Sequence, residues 1–182
     1  MRSRVLTSCP LPKPMVNTGV WAAATAASTS SLVALETDAQ KRCGLARELV
    51  RAGDRTKAAV LLEILAMEDA YGHVHAAESL FKVGEIGDGR SLQQAMTQTE
   101  NLPLRVMAAA ALARSGNAKG LAVLREILAD RNSPANRLAA WALGQTGNVW
   151  DIAQLHDNLP HVEDSLIRCF HEMALANLGD PA

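Results

Sequence analysis

The chain has 182 residues, 18 Lys and Arg against 19 Asp and Glu, and a formal net charge of −1. That length, with 48% hydrophobic and 20% charged residues, suits one self-sufficient core and excludes wholesale disorder. The balanced charge disfavours a general nucleic-acid binder, which needs excess Lys and Arg, and no apolar run is long enough to span a membrane.

Thirty-two Ala and 24 Leu against 3% aromatics predict an all-α protein, because strands draw on β-branched and aromatic residues. Cys9, Cys43 and Cys169 are odd in number and lack CxxC spacing. They are expected to be reduced thiols in a cytoplasmic protein, with Cys43 and Cys169 acting as small apolar fillers.

In chain order, residues 1–30 come first. Pro10, Pro12 and Pro14, with the Ser, Thr and Gly around them, predict a poorly ordered or loosely packed leader. Met15 to Ala27 is uncharged, but Lys13 and the prolines before it make an export signal the minority reading. Residues 31–182 form the second region, and from residue 41 the sequence repeats.

Gly53, Gly84, Gly116, Gly147 and Gly179 are spaced by 31, 32, 31 and 32 residues. Four residues before each stands a leucine: Leu49, Leu80, Leu112, Leu143 and Leu175. A polar residue follows each glycine, and Leu61, Leu92, Leu124 and Leu155 lie eight residues beyond the first four. Positions are numbered below relative to these glycines. Small or apolar residues at −8, −7 and −4 share one helical face, as in Ala108, Ala109 and Leu112. The glycine is expected to end that helix in the left-handed conformation. Leu121, Leu124 and Leu128, at +5, +8 and +12, then define a second amphipathic helix. Each unit therefore reads as helix A, turn, helix B. One such pair cannot hide its apolar face, so the units must stack. In the second unit Gly87 and Asp88 follow closely, so its turn could fall three residues later.

The pattern R-x-x-A-A-x-x-L-x-x-x-G, from Arg105 to Gly116 and more loosely from Asn136 and His73, resembles the short HEAT-like repeats of the phycobilisome lyase-subunit type. The resemblance implies a right-handed α-solenoid (superhelix) of about four and a half helix pairs. It carries little about activity, because such repeats serve scaffolds, lyase subunits and a few enzymes alike.

Catalytic readings find little in the residues. HEAT-like deoxyhypusine hydroxylases hold two irons through His-Glu pairs, but His171-Glu172 lies two residues out of that register and no other unit carries a pair. His73, His75, His156 and His161 are expected on the surface. No nucleophile elbow, phosphate loop or dinucleotide fingerprint occurs. HEAT-like glycosylases need a basic, aromatic channel, which Trp141 and Trp150 do not supply. Trp141 is expected between layers or on the convex side.

The expected function is therefore a non-catalytic protein-interaction module with no cofactor or metal, no nucleic-acid partner and no membrane. The alternatives are a subunit of a bilin-lyase-like enzyme, or a C-terminally truncated piece of a larger multidomain protein. In such solenoids the B helices usually line the concave face, which makes +9 and +10 the candidate contacts for a protein or peptide: Glu63, Gln93, Gln94, Arg125, Glu126, His156 and Asp157. A second row at −11, including Arg42 and Arg105, is expected to tie neighbouring turns through acids such as Asp130 or Asp164. Ile167, Phe170 and Met173 form a candidate end-interface for end-to-end self-association.

Overall fold

The computed structural model describes residues 31–180, so the expected leader lies outside the described residues. Residues 31–35 are helical and bury Val33. Then follow α1 (Ala39–Arg51), a 3₁₀ turn, α2 (Ala58–Ala66), α3 (His73–Val83), α4 (Arg90–Met96) and α5 (Leu102–Arg114). The second half comprises α6 (Ala118–Ala129), α7 (Asn136–Thr146), α8 (Asp151–Asn158), a 3₁₀ turn at Leu159–His161 and α9 (Ser165–Asn177). Among the described residues there is no strand.

The odd-numbered helices are the A helices of the repeat and the even-numbered ones the B helices. Each A helix packs on the next A helix, giving the order α1, α3, α5, α7, α9, and B helices cover the opposite side. The −4 leucines and the +8 leucines are all buried, at 4% exposure or less, and all but Leu49 belong to one continuous core. The −8/−7 alanine pairs of α3, α5 and α7 are fully buried and let successive A helices approach closely.

The repeated Leu-x-x-x-Gly-polar signature has a backbone cause. In four units the N–H of the residue after the glycine donates to the carbonyl of the −4 leucine: Asp54 to Leu49, Glu85 to Leu80, Asn117 to Leu112 and Asp180 to Leu175. This closure satisfies an orphan carbonyl at the helix end and needs positive φ at the glycine, which Gly53, Gly84, Gly116 and Gly179 all show. In the second unit α3 stops at Gly84, and Gly87 and Gly89 lengthen the turn before α4.

Gly147 departs from the expected conformation, with φ −77° and ψ −166°. There the N–H of Asn148 donates instead to the carboxylate of Asp151, at 2.9 Å. A Cβ on Gly147 would stand 2.7 Å from that carboxylate and from the Leu143 carbonyl, so here glycine is required by close approach. Asparagines and aspartates cap other helix starts: Asp38 for α1, Asn101 for α5, Asn117 for α6 and Asp164 for α9.

Candidate functional site

The +9 and +10 positions lie on the B helices, away from the core face, but most are engaged within the fold. At +9, Arg125 reaches into the next unit and forms a two-pronged bond with Asp151, which is 1% exposed. This hydrogen bond raises the already high pKa of the Arg125 guanidinium. His156 likewise reaches Asp180 of the next unit, 2.7 Å away. Leu62, also at +9, presses on Gly87, where an added Cβ would stand 2.6 Å from its methyl. Three of the four +9 residues therefore strut one unit against the next.

At +10, Glu63 pairs with Arg42 (3.5 Å) and Glu126 with Arg105 (3.2 Å), each across the 21 residues that separate −11 from +10 in one unit. Arg42 and Arg105 thus bind the B helix of their own unit, while Arg168 donates to the Val162 carbonyl, and the expected acids act elsewhere. Asp130 accepts from the N–H of Asn132, and Asp164 caps α9. The carboxylate of Asp157 is exposed, while its carbonyl accepts from Arg131.

The second unit breaks this arrangement. It has His73 at −11 and Gln94 at +10, which form no ion pair, and His73 turns instead to the carbonyl of Met67 (3.1 Å). A cavity of about 340 Å³ opens at this corner, between the end of α2, the start of α3, α4 and the start of α5. Its polar lining includes His73, Ser91, Gln94, Gln98, Asn101 and Glu68. Asn101 is held as the cap of α5, whereas the Gln94 and Gln98 carboxamides make no hydrogen bond among the described residues. Gln93 is exposed beside Gln94 on α4. The +10 row alone reached Gln94. Gln98 lies just past the end of α4, where no helical periodicity in the sequence marks it.

The end-interface residues separate. Phe170 is half-buried beneath the Arg137 guanidinium, 5.6 Å from the ring centroid, and lines a groove with Leu138 and Trp141 of α7. Met173 is exposed and Ile167 half-buried. Cys43 is buried, as an apolar filler should be, but Cys169 is exposed, so the filler reading fails there. Its register at −10 points toward the next A helix, and α9 has no such neighbour among the described residues. His73 is half-buried, and His75, His156 and His161 are exposed. Trp141 meets Phe81 of α3 edge to face, with centroids 5.4 Å apart.

Among the described residues no group of three or more His, Cys, Asp or Glu is placed to hold a metal, and no helix is long and apolar enough to cross a membrane. A stack of A helices covered on one side by B helices, four of its five glycine turns closed in the same way, defines an α-solenoid repeat protein. A family model of HEAT repeats matches residues 89–176, which supports a HEAT-like repeat protein. No curated protein matches it. HEAT repeats commonly act as protein-interaction scaffolds and are generally non-catalytic.

Proposed function

We propose that this chain is a non-catalytic interaction scaffold whose B-helix face holds an extended segment of a protein partner at the corner of the second unit. The cavity beside Gln94 and Gln98 carries this reading. An extended peptide offers one N–H and one C=O per residue, and a carboxamide matches both with its own donor and acceptor. Gln93 and Gln94 continue that surface along α4, with Glu63 and Glu126 on the flanking units to favour positively charged side chains of the partner. Arg125 and His156 act in this reading as struts that hold the units in register.

Selection from a displayed library of random 12-residue peptides tests it. Enriched peptides should bind the folded protein and lose at least fivefold in affinity to the Gln94→Ala/Gln98→Ala variant, with an unchanged melting temperature. Binding indifferent to that double substitution would remove the cavity from the function.

A further inference from the structure

The groove beneath Trp141 lies on the other side of the molecule. On an A helix, positions −9, −6 and −2 follow i, i+3, i+7 spacing and face away from the B layer. In the first two units this stripe is polar or charged: Gly44, Arg47 and Arg51, then His75, Glu78 and Lys82. In the next units its −9 and −6 members turn apolar, as Met107 and Ala110, Leu138 and Trp141, Phe170 and Met173, while −2 stays polar at Arg114, Gln145 and Asn177. The structure gathers Val74, Glu78, Met107, Leu138, Trp141 and Phe170 around one groove of about 280 Å³ that crosses α3, α5, α7 and α9. Aromatic, Met and Arg side chains around a recess are the composition of interface hot spots.

The lining dictates the form of the occupant. Its walls are helices, whose backbone groups are already bonded, and its one charged member, Glu78, is bridged by Lys82 at 2.6 Å. An extended peptide would find almost nothing there for its own N–H and C=O groups, and leaving them unpaired is costly. A helix satisfies its backbone internally and presents only side chains, at i, i+3, i+4 and i+7, to an apolar slot.

The charges dictate its sign. Arg137 sits over the Phe170 ring, and Arg114 sits over the Phe81 ring that Trp141 abuts. Neither arginine has a carboxylate partner within the described residues. We therefore infer that this A-side groove docks an acidic amphipathic helix of a partner protein. Its apolar stripe enters between Met107, Leu138, Trp141 and Phe170, and its carboxylates meet Arg137 and Arg114. This site is independent of the B-face cavity, so a scaffold carrying both would hold two partners on opposite sides.

A displayed library tests the inference: 16-residue peptides with apolar residues fixed at i, i+3, i+4 and i+7, and a free choice of Glu or Lys elsewhere. Selection on the intact protein should enrich Glu, and a labelled selected peptide should bind saturably by fluorescence anisotropy. Arg137→Glu, at an exposed position, should weaken that peptide at least fivefold and move selection toward Lys. Phe170→Ala should weaken it at least tenfold with an unchanged helical circular dichroism spectrum, and Gln94→Ala/Gln98→Ala should leave it unaffected. No enrichment, no preference of charge, or sensitivity to the glutamine variant without sensitivity to Phe170→Ala would overturn the inference. Light scattering that shows self-association abolished by Phe170→Glu would assign the groove to a second copy and overturn it as well.

Discussion

The two layers of the solenoid are joined by different means. The A helices meet through small residues at near-backbone distance. A Cβ on Gly144 of α7 would stand 2.6 Å from the Cα of Ala174 on α9, and the alanine pairs repeat that intimacy along the stack. The B helices are braced by long polar side chains: Arg125 to Asp151, His156 to Asp180, Gln154 to the Arg125 carbonyl, and Asn158 to the Leu128 carbonyl. Close packing resists any change in volume, whereas a strut tolerates substitution at its exposed end. The A layer fixes the spacing of the units, and the B layer can vary its surface without losing the stack.

The largest expected effect is therefore in the A layer. Gly144→Ala should gain helix propensity by about 1 kcal/mol if the site were open. The clash with Ala174 should instead make it destabilising by about 3 kcal/mol in urea unfolding. The seam between the layers should behave similarly at Gly120, where a Cβ would stand 2.5 Å from the Ala109 carbonyl. A stabilised Gly144→Ala protein would erase the contrast between the layers.

The next effect should come from the B-layer strut anchored on the buried Asp151 carboxylate. Asp151→Ala removes the acceptor for both Arg125 and the Asn148 N–H. Because Arg125 remains partly exposed and can rehydrate, the expected loss is about 2 kcal/mol, below that for removing one partner of a wholly buried pair.

A third effect separates the first A helix from the struts by pH. Burial pushes the Cys43 thiol up to about 11 from an ordinary 9.0. A folded-state pKa above the unfolded one gives stability that is complete below about pH 9 and declines as pH rises toward about 11. Wild type should lose on the order of 2 kcal/mol more than Cys43→Ala across that window. Parallel curves would show that the thiol does not titrate differently in the folded protein. The smallest effect should be at Glu126→Ala, whose exposed pair with Arg105 is expected to contribute under about 1 kcal/mol.

What the sequence disclosed follows the range of the interactions. Leu112, Gly116 and Asn117 are neighbours in the chain, and the turn they close is a local bond, so its recurrence exposed the repeat and the all-α fold. Asp151 gave no such sign. It reads as an ordinary acid in the first turn of a B helix, and its burial depends on Arg125 arriving from another unit 26 residues away. The exposed +10 acids were visible as a row, but their pairing with the −11 arginines requires the angle between A and B helices, which periodicity does not contain. Phe81 and Trp141 were harder still, because their units are not adjacent.

That ring contact has a consequence for how the protein comes apart. In a linear array each unit touches only its neighbours, so melting can enter at either end and advance one unit at a time. Phe81 belongs to the second unit and Trp141 to the fourth, and they close over α5, whose Ala110 is fully buried and small enough to leave them room. The third unit cannot leave the stack while that bridge stands. Units two to four should exchange their amide hydrogens as one cooperative block, with fraying confined to α1, α2 and α9.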